Sequence, residues 1–150
     1  MLQERILVLE DIAALSENFG MGIHLVLLRR YNRVGRPLKF NLKMDDEKSF
    51  IGDEYAQLRN GLFAVMSEIA TNDLKYGRGE SQWNLKLAVD EIRITMTANT
   101  DYELGKYGTG MGTSTINRRI IEMGGKVCTE LTGKYKIEFH LKPKPISQNN

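Results

Sequence analysis

Eleven residues near the middle of the chain, Ser67 to Gly77 (SEIATNDLKYG), combine a helix's apolar spacing with polar side chains that a core does not ask for. At about 100° of rotation per residue, Asn72, Lys75 and Tyr76 fall at about 40°, −20° and 80° from Glu68, so the four share one stripe. Leu62, Val65, Met66 and Ile69 centre beside it. A helix packed through those apolar residues presents a carboxylate, an amide and an ammonium together at the rim of a core, which is an arrangement for chemistry. The same residues also fit a solvated helix face, although Asn is a poor choice for a helix interior.

A second stretch, Gly108 to Ile120 (GTGMGTSTINRRI), sets glycines at 108, 110 and 112 ahead of a helix. Glycines let a backbone approach a ligand and expose amide N–H groups, and a helix that follows offers its N-terminus to a phosphate. The run lacks the lysine of a Walker loop and is not a Rossmann fingerprint. Taken alone, it also fits a surface loop.

A chain of 150 residues is long enough for one domain with a real core to hold both stretches. At 41% hydrophobic and 27% charged it reads as globular, not disordered. The net charge of +2, with both signs mixed along the chain, makes no electrostatic case for nucleic acid or an anionic membrane. A single cysteine, Cys128, excludes an internal disulfide and fits a reduced, cytoplasmic setting, whether or not a longer parent protein is anchored in a membrane. His24 and His140 lie far apart without cysteine partners and make no zinc set. No apolar run reaches the length of a membrane span, and the N-terminus lacks a secretory layout.

The elements follow from periodicity. Residues 1–36 read as a mainly helical segment, broken at Asn18–Gly22 by two glycines. His24 reads as a packed histidine in the apolar run IHLVLL. Arg29, Arg30, Arg33 and Arg36 form either a basic helix end that complements the dipole or a patch for an acidic partner or phosphate. Leu38, Phe40 and Leu42 alternate with Lys39, Asn41 and Lys43 as a half-buried strand. Asp45 to Gly52 is a polar connection. Asp53 is the expected cap of a helix that runs to about Lys75 and stops at Gly77–Ser81.

A hairpin comes next, with Trp83, Leu85, Leu87 and Val89 on one arm and Ile92, Ile94, Met96 and Ala98 on the other. Beyond the glycine-rich segment, Ile116, Ile120 and Met123 share one side of a helix, Arg118, Arg119 and Glu122 the other, and Gly124-Gly125 ends it. A strand near Val127, a Thr132-Gly133 turn and an alternating strand with Tyr135, Ile137, Phe139 and Leu141 inward close the domain, and Pro143 stops it. The order predicts an α+β fold, a two-layer α/β sandwich whose mixed, mainly antiparallel sheet carries helices on one face. Residues 37–143 form its body and 144–150 a tail.

Together the two stretches resemble the ATP-binding domain shared by gyrase, heat-shock chaperone, histidine kinase and mismatch-repair ATPases, the GHKL superfamily with its Bergerat fold. The closest resemblance is to the catalytic domain of bacterial sensor histidine kinases. The N box of that family, Glu, then Asn four later, Lys seven later and His or Tyr eight later, is matched by Glu68, Asn72, Lys75 and Tyr76. Its second glycine box, before a helix ending Gly-Gly, is matched by Gly108, Gly110, Met111, Gly112 and Gly124-Gly125, and LTGKYKIEFHLKP looks like its terminal strand.

The resemblance implies a catalytic domain that binds ATP and Mg2+ and donates the γ-phosphoryl to a histidine outside this chain. By the same resemblance Asn72 holds the magnesium, Lys75 offsets phosphate charge, and Tyr76 flanks the nucleotide. Glu68 polarises the nucleophile or supports the metal shell, and Gly108, Gly110, Met111, Gly112 and Thr113 form lid hinge and phosphate cradle. The implied partners are a histidine-bearing dimerisation domain and a response regulator, with homodimer formation in the parent protein. Two features depart from the family. The first glycine box, Asp-x-Gly-x-Gly, is absent after Ala98, leaving Asn99 and Asp101 as candidates for the adenine contact. Neither His24 nor His140 has the setting of the phosphoacceptor, so the resemblance implies that residues 1–36 are the end of a linker or dimerisation region whose histidine lies elsewhere. A degenerate GHKL domain acting as a regulatory binding module and a serine kinase of the anti-sigma type are the alternatives.

Overall fold

A computed structural model describes residues 18–46, 48–100, 111–131 and 133–144. The helical stretch expected before Asn18, Asp101, Gly108, Gly110, Thr132 and the tail from 145 lie outside the described residues. In chain order the elements are α1 (Phe19–Arg33), β1 (Leu38–Met44), a 3-10 turn (Asp53–Tyr55) running into α2 (Ala56–Tyr76), β2 (Gly77–Leu87), β3 (Ile92–Thr100), α3 (Met111–Glu122), β4 (Lys126–Leu131) and β5 (Lys134–Leu141).

The five strands form one sheet in the order β1-β2-β3-β5-β4. β1 runs parallel to β2, because α2 carries the chain back between them; every other pair is antiparallel. Alternation sorts the side chains as a half-buried sheet requires. Trp83, Leu85 and Leu87, then Ile92, Ile94, Met96 and Ala98, then Tyr135, Ile137, Phe139 and Leu141 are buried. They meet Leu62, Val65, Met66 and Ile69 of α2 and Ile116 and Ile120 of α3 in a single core. The opposite face is polar and charged, with Asn41, Lys86, Arg93, Thr95 and Glu138 among its residues. The fold is thus α+β, a two-layer sandwich, as expected.

Local differences from the sequence reading have packing causes. A helix starts within Asn18–Gly22: Asn18 is extended, and its Oδ1 accepts from the Met21 N–H at 3.2 Å as an N-cap, so both glycines lie in the first turn. Gly20 is buried in the first turn because a Cβ there would stand 2.7 Å from Leu42 Cδ2. From this start Phe19, Ile23, Leu27 and Tyr31 repeat every four residues and enter the common core, so the packed unit includes α1 as well as the body from residue 37. His24 stacks on Phe40 with ring centroids 4.3 Å apart.

Asp53 makes no side-chain cap; it opens the 3-10 turn, and α2 begins at Ala56. The connection before it is held by Arg59, whose Nη1 donates to the carbonyls of Phe50 (2.5 Å) and Gly52 (2.7 Å). Phe50 takes a left-handed backbone (φ 67°) while its ring stays buried edge-on to Tyr55. The helix stops at Gly77 as expected, and β2 starts on that same residue; a bulge at Arg78–Ser81 uses the positive φ of Gly79.

Candidate functional site

α2 turns Leu58, Leu62, Val65, Met66, Ile69, Ala70 and Asp73 to the core. That rotation leaves Glu68 and Asn72 half-buried at the rim and Lys75 exposed, with Tyr76 half-buried beside them. Lys75 Nζ lies 5.1 Å from the Tyr76 ring centre, within reach of a cation–π contact. The Tyr76 carbonyl accepts from Thr100 Oγ1 at 2.9 Å, which ties the end of α2 to the end of β3.

α3 forms the second wall. A Cβ on Gly61 would lie 2.6 Å from Met123 Sδ, and Arg119 Nε donates to Glu68 Oε1 at 2.8 Å. Contacts therefore advance along α2 as they retreat along α3. The two helices run antiparallel, which brings the first turn of α3, with Met111, Gly112 and Thr113, toward the turn of α2 that holds Asn72 and Lys75. The positive end of the α3 dipole then lies toward the cation-bearing end of α2, an arrangement suited to an anion.

The Glu68–Arg119 pair is partly exposed (26% and 44%), so it adds at most about 1 kcal/mol of stability. Its structural effect is to orient Glu68. The other carboxylate oxygen, Oε2, is buried and has no hydrogen-bond partner among the described residues. An orphaned carboxylate oxygen beside an Asn amide offers the hard oxygen donors that Mg2+ takes while it keeps several waters and substrate phosphates. Among the described residues no three His, Cys, Asp or Glu gather into a metal cage, so such an ion would depend on phosphate for the rest of its shell. The residues fit the ion.

Asn99 does not join this group. It is exposed next to buried Ala98, so strand alternation turns it to the sheet face away from the helices. The neighbouring inward position is Thr100.

Sequence reasoning passed over Asp73. It is fully buried and accepts from Tyr31 Oη at 2.6 Å and from Ser81 Oγ, with Arg36 Nη2 3.4 Å away. Arg36 also donates to Ser81 Oγ (2.6 Å) and to the carbonyls of Asp73 (2.9 Å) and Gly79 (2.8 Å), and Trp83 Nε1 donates to Tyr31 Oη at 3.1 Å. Arg30 similarly reaches Ser67 O (2.9 Å) and Thr71 Oγ1 (2.7 Å). Two of the four arginines of the basic cluster are therefore internal clasps between the first helical segment and α2. A carboxylate on the core side of the SEIATNDLKYG helix, one position after Asn72, was the signal available.

Burial, then the charge of Asp73, push the Tyr31 phenol far above its usual range, and the same causes push Tyr135 up to about 12. Both folded values lie above the unfolded tyrosine value of about 10, so the native state keeps protons that the unfolded chain gives up. The stability they contribute is complete below about pH 10 and drains as pH rises from there through the folded values. Urea midpoints are expected to fall from about pH 10 upward, and Tyr135→Phe should soften the decline.

The comparisons with solved structures agree with this architecture. The chain has the fold of sensor histidine kinase catalytic domains. It matches the histidine kinase domain of the blue-light activated histidine kinase of Erythrobacter litoralis with a TM-score of 0.62 at 16% identity, over 84% of this chain and 65% of that one. It matches the catalytic domain of histidine kinase ThkA with a TM-score of 0.58 at 14% identity, over 82% of this chain and 90% of that domain. Full-length ShkA in complex with AMPPNP gives 0.61 at 14% identity, over 83% of this chain and 29% of ShkA. The chain thus spans just under two thirds of the first and most of the second. At these identities the likeness is one of fold. No protein-family model matches the sequence, and no curated protein matches it. No helix among the described residues is long and apolar enough to cross a membrane.

Proposed function

We propose that this chain is the ATP-binding catalytic domain of a two-component sensor histidine kinase, passing the γ-phosphoryl group of ATP to a histidine outside the chain, with a response regulator as the next acceptor. The observation that carries the reading is the joint placement of Glu68, Asn72 and Lys75 at the end of α2 with an antiparallel α3 aimed at them. Asn72, with Glu68 beside it, would hold magnesium. When bound, magnesium neutralises charge on the phosphate oxygens. Lys75 offsets further negative charge and Tyr76 flanks the nucleotide. Gly108, Gly110, Met111, Gly112 and Thr113 border the phosphates, and Asp101 takes the adenine side in place of Asn99. Arg119 holds Glu68 by one oxygen and leaves Oε2 to meet the attacking group or the ion's water. Chemistry of this kind rests on positioning and electrostatics, which suits a site with few reactive groups.

A second reading, a degenerate domain that works through protein contacts, draws on the outward turn of Asn99: the inward end of β3 offers the Thr100 hydroxyl where an adenine contact would want a carboxylate. Calorimetric titration of ATP with Mg2+ into the chain and into Asn72→Ala separates the two. Under the kinase reading the wild type binds, and the variant loses about tenfold or more in affinity while keeping its circular dichroism. Equal binding by both proteins would remove Asn72 from the site. No binding at millimolar nucleotide would leave the second reading standing.

A further inference from the structure

The face of the sheet turned away from the helices carries its own pattern. Strand register sets Lys43, Lys86, Arg93, His140 and Lys126 in one row, each directly opposite the next, across all five strands. With strands about 4.8 Å apart the row is roughly 19 Å long. His140 is half-buried and the four cations are exposed. The adjacent row is Asn41, Asn84, Thr95, Glu138 and Cys128, with a single charge.

Like charges directly opposite one another on a sheet destabilise it, and Lys43 stands so opposite Lys86. The acids nearest the row offset its middle and leave its two ends basic. Glu91 Oε1 accepts from Arg93 Nε at 2.9 Å and Glu138 Oε1 accepts from Arg93 Nη1 at 2.9 Å, so both are engaged by the middle residue. Asp90 lies in the β2–β3 turn, and Glu130 lies on β4 opposite Lys136. Lys43, Lys86 and Arg93 line one shallow cleft of about 270 Å³. Arg93, His140 and Lys126 line another of about 450 Å³, where Lys142 and Lys144 add positive charge and Asp90 and Glu91 part of its offset.

We infer that this row docks an acidic α-helix of a partner protein, laid across the strands. Carboxylates at successive i, i+3 or i+4 positions recur about every 5.4 Å along a helix, close to the strand spacing of about 4.8 Å, so one acid falls over each strand. The other anionic partners fit less well. The outward positions of the five strands hold no Phe, Tyr or Trp on which single-stranded bases could stack. One exposed apolar residue at the hairpin tip, Val89, gives a lipid surface too little to bury. The surface lies on the opposite side of the sheet from Glu68 and Asn72, so its fate is independent of nucleotide binding.

The test uses the full chain labelled with 15N. The probe is a synthetic helical peptide bearing Glu at i, i+4, i+7, i+11 and i+14, beside a scrambled peptide of equal composition. The inference requires amide shifts along the row on all five strands, affinity about tenfold weaker for the scrambled peptide, and loss of binding at high salt. It also requires loss in the variant Lys43→Glu/Lys86→Glu/Lys126→Glu, whose urea midpoint shows it folded; the Gln triple variant serves if the charge reversal fails that check. Equal binding of the two peptides, shifts centred elsewhere, or undiminished binding by the folded variant would overturn it. So would tighter binding of a single-stranded oligonucleotide or of phosphatidylserine vesicles, which would give the row a different occupant.

Discussion

Asp73→Ala is expected to cost about 3 kcal/mol of folding stability, the lower end of the range for stranding one side of a buried ion pair. The carboxylate is out of solvent and accepts from the hydroxyls of Tyr31 and Ser81 while facing the Arg36 guanidinium. Truncation leaves both hydroxyls short of an acceptor and removes the counter-charge of Arg36. The guanidinium keeps its bonds to the Gly79 and Asp73 carbonyls, and its side chain is 12% exposed, which holds the loss to the lower end. Asp73→Asn preserves shape and one acceptor oxygen and should cost about half as much. Urea unfolding at constant m-value reads both numbers. A cost below about 1 kcal/mol for the alanine variant would mean the cluster does not hold α1, α2 and β2 together.

Trp83→Ala is expected to cost about 3–5 kcal/mol. Trp83 is fully buried near the middle of β2, with Phe40 of β1 and Met96 of β3 as its register partners on the same face. Its loss opens a cavity where layer meets sheet and removes the Nε1 donor from Tyr31 Oη. Because Asp73 and Trp83 both act on that one hydroxyl, the double variant should depart from additivity by about 0.5 kcal/mol or more. Trp83→Phe, which restores most of the volume but not the donor, divides the packing part from the hydrogen-bond part. If the alanine variant unfolds within about 1 kcal/mol of wild type, this core position has been misjudged.

Much of this molecule was legible in the sequence because two periods were clean. Trp83-Leu85-Leu87, Ile92-Ile94-Met96 and Tyr135-Ile137-Phe139 alternate without interruption, and each is a strand with those residues buried. The helical period of Leu62, Val65, Met66 and Ile69 likewise predicted which side of α2 faces in. Where the reading failed, tertiary contact outweighed local propensity. Gly20 and Gly22 are unfavourable helix residues by propensity, yet both lie in the first turn of α1, where Gly20 packs against the side chains of Leu42 and Met44 of β1. Gly77 ends the helix as the sequence suggests, but β2 begins on the same residue, where any side chain would collide with the Asp73 carboxylate. At the site, the stripe of Glu68, Asn72 and Lys75 was visible from spacing, whereas the contact between Glu68 and Arg119 was not. Spacing puts Arg119 on the side of α3 away from Ile116 and Ile120, and only the crossing of the two helices sets its guanidinium against α2.

The passage from Tyr76 to Gly77 has a mechanical meaning. Helix gives way to strand with no residue between, the Gly77 N–H bonds back to the Asp73 carbonyl, and the Arg36 clasp closes over the same turn. A joint of that kind has no slack. The turn bearing Asn72 cannot tilt or slide unless β2 goes with it, and β2 is laced to neighbours on both sides. One wall of the site is in effect a fixed jaw, built into the frame of the domain. Any closing stroke around a ligand therefore has to be made from the side of α3.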